Sequence, residues 1–357
     1  MHDLLAVPPD RVDAIRALAA GLQPGMTVAL STHVNSDGDG CGSEAALSRL
    51  LAQRGIQCRI VNPTPWPGMF RFLLGGPVQD FSDQGAAAMR DPDVDAILVV
   101  DISDVKRLGT LTEAVRTATV PRFCIDHHLP SDEPPAPVLV ADTRASATGE
   151  LVFDLAQVLE LPIDIETATA LYIAILTDTG GFRFSNTTPR VHAIAGQLLA
   201  RGVDPELMYR RVYASQSPGR VRLLAEALQS LGVDETVGLS WLSLSVGAKE
   251  RYHVTSEEMD GIVEHPRSIA GTRLAIFFRD LGHNRVKISF RSSGNVDVNA
   301  LARLFDGGGH AKASGAMVHG SLKDVETRVL SAARDALAAT PRDDTPPVPH
   351  RSGAVTE

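Results

Sequence analysis

Five short apolar runs, 26–30, 56–61, 95–100, 121–125 and 138–141, alternate with segments of helical spacing through the first half of the chain. Runs of this length and composition read as buried strands. Their alternation with helices predicts an α/β fold, a doubly wound and mostly parallel sheet. Sheets of that kind gather ligands beyond the carboxyl ends of their strands. The chain places reactive groups there three times: His33 follows the first run, Asp101 ends the third, and Asp126-His127-His128 ends the fourth.

The stretch from His33 to Ser43 carries an imidazole and two carboxylates between a strand and a helix expected over 44–54. Asp and Gly supply turn chemistry anywhere, so a plain turn is one reading. A calcium loop of the EF-hand kind is another, and it fits badly. Counted from Asp37, position 12 is Ser48; counted from Asn35, it is Ala46, so the bidentate Glu is missing in both registers. Cys41 has no assigned role.

The chain has 357 residues, 44% hydrophobic and 22% charged, enough for two domains with cores of their own. No apolar run approaches the roughly 18 residues of a membrane span. No basic region followed by an apolar stretch marks a secretory signal. Three cysteines at no zinc-like spacing (Cys41, Cys58, Cys124) fit a reducing cytoplasm. A net charge of −9 argues against wholesale coating of nucleic acid, though not against a local basic site.

Helical spacing recurs over 7–23, 111–117, 148–159, 165–176 and 190–213, and Asp178 follows the fourth of these, just before Gly180-Gly181. The run Ala-Ser-Gln-Ser-Pro-Gly over 214–219 reads as a linker. Beyond it come a helix over 220–231, strands over 238–246, 273–278 and 286–291, a helix over 298–305 closed by Gly307-Gly308-Gly309-His310, and a last helix over 325–339. The expected organisation is a catalytic, metal-binding domain over 1–188 and a helical connector and linker over 189–219. A smaller mixed-sheet α/β domain over 220–340 and a disordered, proline-rich tail over 341–357 complete it.

Consider His33, Asp37, Asp39, Asp101, His127 and Asp178 together. Each alone is an ordinary cap or turn former; six in this order are harder to dismiss. Hard oxygens with some nitrogen suit Mn²⁺ or Mg²⁺ better than a structural zinc. Four carboxylates around one small site repel strongly without cations between them. Two divalent ions, about 3.5–4 Å apart, would remove that repulsion and activate a water for in-line attack at phosphorus.

The order His-x₃-Asp-x-Asp, strand-end Asp, Asp-His-His, helix-end Asp resembles the DHH phosphoesterase superfamily. Gly307 to His310, with Arg291 upstream and Ser314 downstream, resembles its associated C-terminal domain. The resemblance spans nearly the whole chain except the tail, and its closest type is the compact NrnA-like branch. It implies hydrolysis of short RNA, of 3′-phosphoadenosine 5′-phosphate (pAp), and of cyclic-di-AMP or its linear product pApA. It implies one metal held by His33, Asp37 and Asp101 and a second by Asp39, Asp101, His127 and Asp178, with Asp101 bridging. His128 would be catalytic, facing the scissile phosphate, while Asp126 would hold its neighbouring loop. Two divalent ions, Mn²⁺ before Mg²⁺, and a homodimer are also implied.

Between residues 265 and 325 nine Lys or Arg stand against four Asp, a basic stretch in an acidic chain. Gly307 to Gly309 could bring backbone N–H groups close to a phosphate. The resemblance implies that Arg291 and His310 contact substrate phosphate, with Gly308, Gly309, Asn299 and Ser314 beside them, and that the active site lies in the cleft between the domains. A short oligonucleotide or bisphosphorylated nucleoside fits that arrangement. A long duplex would need an extended positive track. With aromatics at 5%, an extended stacking platform is disfavoured, and Trp66, Phe70 and Phe184 read as core before they read as base-stacking groups. Three alternatives stand beside this reading. A manganese inorganic pyrophosphatase carries a Ser-Arg-Lys-Lys-Gln run that is missing here. A RecJ-like single-strand exonuclease needs an added domain for which the chain is short. A non-catalytic nucleotide-binding regulator has no need of the full ligand set.

Overall fold

The computed structural model describes residues 4–259 and 261–341. The tail from 342 onward lies outside the described residues. The chain divides into two compact units, Met1–Ser215 and Gln216–Glu357.

In the first unit, chain order runs α1 (Pro9–Gly21), β1 (Thr27–Ser31), α2 (Gly38–Gln53), β2 (Gln57–Ile60), α3 (Ala86–Met89), β3 (Ala96–Val100), α4 (Thr112–Arg116), β4 (Arg122–Asp126) and β5 (Val138–Ala141). Four helices follow: α5 (Thr148–Val158), α6 (Ile165–Asp178), α7 (Pro189–Leu199) and α8 (Pro205–Tyr213). The five strands are all parallel, in the order β2-β1-β3-β4-β5. Alternation along the strands makes two cores. Val28, Leu30, Leu98 and Val100 pack with Ile15, Leu47, Leu151 and Leu171 of α1, α2, α5 and α6. Ala29, Ile97 and Val99 point the other way, onto Met89 of α3 and Val115 of α4. Both faces are covered, as parallel strands require.

Two expected helices differ in extent. Helix α2 begins at Gly38, six residues before the expected start, because Asp37 caps it and the small residues that followed read as loop material. The expected helix over 190–213 is two helices, since Gly202 (φ 99°) and the Asp204 cap before Pro205 break it. Trp66 and Phe70, at 2% and 4% exposure, are core. Phe184, also read as core, is 53% exposed.

The second unit contains α9 (Pro218–Gln229), β6 (Gly232–Asp234), β7 (Leu239–Leu244), α10 (Ala248–Arg251), α11 (Glu264–Arg267), β8 (Leu274–Asp280) and β9 (Arg285–Ser292). It closes with α12 (Val298–Arg303), β10 (Gly308–His310), β11 (Ala313–His319) and α13 (Leu322–Ala339). Its sheet runs β10-β11-β9-β8-β7-β6, with only β7 and β8 parallel. Val286, Ile288 and Phe290 of β9 enter the core under α12 and α13, while the alternating Arg285 and Lys287 are exposed. The glycine run, expected to close the helix before it, is largely an edge strand: Gly308, Gly309 and His310 pair with Gly315, Ser314 and Ala313.

Candidate metal centre

Five elements end at one place. In a 2-1-3-4-5 sheet the chain leaves β1 and β3 in opposite directions, and a crevice opens between their carboxyl ends. His33 follows β1 and Asp101 follows β3. Asp126 ends β4, with His127 and His128 behind it. Asp37 is the N-cap of α2, accepting from the backbone N–H groups of Asp39 (3.0 Å) and Gly40 (3.2 Å), and so sets Asp39 into the first helical turn. Asp178 is the last residue of α6. Asp101 has φ 61°, a left-handed conformation that costs an L residue about 1–2 kcal/mol and is a recurrent mark of functional positions.

The side chains form interlocking groups of potential ligand atoms, each spanning less than 4.8 Å: His33, Asp37 and Asp101; Asp39, His127 and Asp178; and Asp101, His127 and His128. His33 Nε2 lies 3.7 Å from Asp37 Oδ2 and 3.5 Å from Asp101 Oδ2. His127 Nε2 lies 3.6 Å from each of Asp39 Oδ2, Asp101 Oδ1 and Asp178 Oδ2. One carboxylate oxygen of Asp101 thus faces each imidazole. Both rings are held from behind, His33 Nδ1 by Val34 O (3.0 Å) and His127 Nδ1 by Ala145 O (3.3 Å). With Nδ1 donating to a carbonyl, Nε2 is left as the ligating atom.

The electrostatics call for a cation. Burial works against charge on His33, but Asp101 and Asp37 outweigh it and push its pKa up to about 10. His127 is pushed up to about 10 in the same way by Asp101, Asp39 and Asp178, again against burial. Burial and then the Asp101 charge raise Asp39 well above the usual carboxylate range. Burial, with Asp101 and Asp37, lifts Asp178 to about 6. Asp101 itself is held low: the neighbouring His127 and His33 imidazoles outweigh its burial. His127 Nε2 is buried with no hydrogen-bond partner among the described residues, a ring nitrogen facing three carboxylates. An orphaned nitrogen inside an acidic cage is a donor set that fits divalent cations, and its oxygen majority suits Mn²⁺ or Mg²⁺.

Several contributors escaped the sequence reading. Asp39 is cradled by the N-terminus of α5, where Thr148 N–H donates to Oδ2 (2.7 Å) and Gly149 N–H to Oδ1 (2.9 Å). Thr148 Oγ1 also donates to Asp101 Oδ1 (3.2 Å). Asn186 Nδ2 donates to the backbone carbonyls of Ser146 (2.9 Å) and Asp178 (3.1 Å), tying the α6 end to the α5 start. The sequence marked Thr148 as a helix start, but nothing in it points to Asp39, 109 residues away. Asp126 Oδ1 accepts from His128 Nδ1 at 2.7 Å, so it orients that ring.

In the second unit, Arg291 is half-buried, with Nη1 donating to Phe290 O (3.0 Å) and Nε 3.4 Å from Glu264 Oε1. Arg291, Ala313 and His310 occupy one transverse row of β9, β11 and β10. Gly309 (φ 145°) has no room for a side chain, since a Cβ would lie 2.6 Å from Ala313 O. Gly308 meets no such limit. Ser314 is buried and paired with Gly309 across the strands. Asn299 is in the first turn of α12, its Oδ1 buried without a hydrogen-bond partner among the described residues.

Residues 27–175 match the DHH family, N-terminal domain, and residues 240–339 match the DHHA1 domain. A Thermus thermophilus protein named bifunctional oligoribonuclease and PAP phosphatase NrnA is 32% identical over 318 residues, covering 86% of this chain and 89% of its own. Its Bacillus subtilis namesake is 27% identical, covering 82% and 90%. Among solved structures, an exopolyphosphatase-related protein from Bacteroides fragilis superposes with a TM-score of 0.80 at 26% identity, covering 91% of this chain and 96% of that one.

Proposed function

This chain belongs to the DHH family and is a phosphoesterase, and on that premise we propose that it hydrolyses short oligoribonucleotides to mononucleotides and dephosphorylates pAp, with cyclic-di-AMP and pApA as further substrates. One observation carries the reading. The two carboxylate oxygens of Asp101 face two different imidazoles, in separate ligand groups, as a bridge between two ions requires. The names of the Thermus and Bacillus relatives support the substrate class.

In this reading His33, Asp37 and Asp101 hold one ion, and Asp39, Asp101, His127 and Asp178 hold the other. Mn²⁺ is the first candidate and Mg²⁺ the second, on the oxygen-rich donor set. Bound there, the ions would supply Lewis acidity and a water acidic enough to act as nucleophile near neutral pH. The protein's own part is positional. Asp126 anchors His128 at Nδ1, leaving Nε2 to donate to a phosphoryl oxygen and stabilise the charge that develops on it. Arg291 and His310, with Gly308, Gly309, Asn299 and Ser314 around them, would hold a substrate phosphate, which the basic composition of this stretch supports. A homodimer and a cytoplasmic location complete the reading. Three free, buried cysteines agree with a reducing compartment, and no described helix is long and apolar enough to cross a membrane.

Asp101→Asn is the direct test. It should abolish hydrolysis of pAp and of a five-nucleotide RNA in Mn²⁺, and weaken Mn²⁺ binding by calorimetry, with an unchanged circular dichroism spectrum. Full activity in that variant would overturn the reading. Side-by-side turnover of pyrophosphate, a dinucleotide and a 20-mer should favour the dinucleotide. Preference for pyrophosphate or for the 20-mer would instead indicate a pyrophosphatase or a long-strand exonuclease.

A further inference from the structure

Few aromatic rings of this chain reach solvent. Of the large hydrophobic side chains that are exposed among the described residues, only Phe184 (53%) and Tyr209 (56%) are aromatic. They are 25 residues apart in sequence, yet a chain of contacts joins them across one surface. Phe184 lies against Gly180, two residues past Asp178: a Cβ on that glycine would fall 2.4 Å from the ring. A Cβ on Gly181 would lie 3.9 Å from both Arg183 Nε and Tyr213 Cε2. Tyr213 donates to Leu176 O at 3.2 Å, the carbonyl that also accepts from Gly181 N–H. Its ring centroid is 5.3 Å from that of Tyr209. The patch therefore starts at the helix end that presents Asp178 and continues onto α8.

Two cations share this surface. Arg183 Nε donates to Gly180 O, and its terminal nitrogens have no partner among the described residues. The Arg211 guanidinium sits 4.2 Å over the Phe72 ring, on the same helix as both tyrosines. Neither arginine makes an ion pair with a described carboxylate, whereas Arg11 and Arg190 of the same unit do. Next to this surface lie the four carboxylates of the candidate centre. Exposed rings between guanidinium groups attract phosphates and offer faces for bases, a combination suited to a flexible single strand.

We propose that Phe184, Arg183, Tyr213, Tyr209 and Arg211 form a short track that receives the nucleotides of an RNA chain flanking the scissile linkage, and so favours oligonucleotides over mononucleotide substrates. The track rests on the reading that short RNA is a substrate. Only two of its three rings, Phe184 and Tyr209, are exposed, which matches a preference for chains of a few nucleotides.

Binding can be measured without cleavage, using a fluorescein-labelled, phosphorothioate-linked pentaribonucleotide and anisotropy in the presence of Mn²⁺. Phe184→Leu and Tyr209→Leu keep apolar bulk but lose the flat face; each should weaken binding about 5- to 100-fold. Arg183→Gln and Arg211→Gln should each reduce the slope of log affinity against log salt by about 0.7. The ratio of kcat/KM for a pentamer to that for pAp should fall in step. Wild-type affinity and an unchanged salt slope in these variants, with native thermal melts, would overturn the track. A wild-type protein that binds the pentamer on these residues but cleaves no RNA would leave the track standing and overturn the function instead.

Discussion

Thr148 touches both halves of the candidate centre, holding Asp39 through its backbone N–H and Asp101 through its hydroxyl. Groups that orient metal ligands commonly contribute about 10- to 100-fold in metal affinity. Thr148→Val keeps shape and backbone and deletes only the hydroxyl bond, so Mn²⁺ affinity by calorimetry should fall about tenfold with little change in melting temperature. Thr148→Ser should restore it; a valine variant with wild-type affinity would show the hydroxyl to be idle. Glu44 poses a different residue-scale question. It is fully buried, bonded to Asn62 Nδ2 (2.9 Å) with its other oxygen orphaned, and burial pushes its pKa up to about 8 from 4.5. A carboxyl raised on folding binds more protons folded than unfolded. Its contribution is full below pH 4.5 and lost as pH rises through about 8. Glu44→Gln should therefore melt close to wild type at pH 5 and above it at pH 9; equal melting curves at both would contradict a buried neutral acid. Asp101 and Asp178 were legible as candidate ligands because each follows a periodic segment, and Asp39 because it stands beside Asp37 and His33. Thr148, Asn186 and Glu44 were not, because their partners are set by contacts between segments that carry no local signal.

At the scale of elements, the centre depends on how closely α2 and α6 approach, since one carries Asp39 and the other Asp178. Gly42 is what permits it: a Cβ there would fall 2.5 Å from Ala170 O and 2.9 Å from Ala174 N, both backbone atoms. Gly38 serves the same packing against Thr177, as Gly149 does for α5 against Ala174. Backbone cannot rotate aside as a side chain can, so Gly42→Ala must separate the helices. Overpacking of this kind costs about 1–3 kcal/mol. Urea denaturation should register that loss, and Mn²⁺ binding should weaken alongside it; a variant that loses stability but binds Mn²⁺ normally would mean the helices can part without opening the centre. The same glycines explain why α2 was expected to start at 44. A stretch of Gly, Ser and Cys has low helical propensity and no apolar period, and only tertiary packing makes it a helix. Strands β1, β3, β4 and β5 were legible because each centres on an apolar run, and β2 because Cys58 and Ile60 alternate with Gln57 and Arg59. Strands β10 and β11 were not: Gly308 and Gly309 have no side chains to alternate, and their pairing is set by the neighbouring strand.

For the whole molecule, the division into two units with separate cores sets a thermodynamic expectation. A cation bound by His33, Asp37, Asp39, Asp101, His127 and Asp178 touches only the first unit, and ligand binding stabilises only the cooperative unit that holds it. The doubly wound first sheet and the mixed second one were both expected from patterning, but not the strand order 2-1-3-4-5 that brings β1 and β3 side by side. That adjacency is what gathers a net charge problem into one place. Two sites, each with free Mn²⁺ at a hundred times its Kd, would stabilise the first unit by about 5 kcal/mol, on the order of 10–20 °C for some 200 residues. The chain carries its own reporters. It has two tryptophans, Trp66 buried in the core of the first unit and Trp241 packed against that of the second. Trp241→Phe leaves fluorescence reporting the first unit, and Trp66→Phe leaves it reporting the second. Mn²⁺ should raise the midpoint seen by Trp66 and leave that seen by Trp241 in place, and EDTA should reverse the shift. A rise seen by Trp241 alone would put the cation in the second unit, against the assignment. An equal rise in both would mean that the two units unfold as one, so that separate cores do not here make separate transitions.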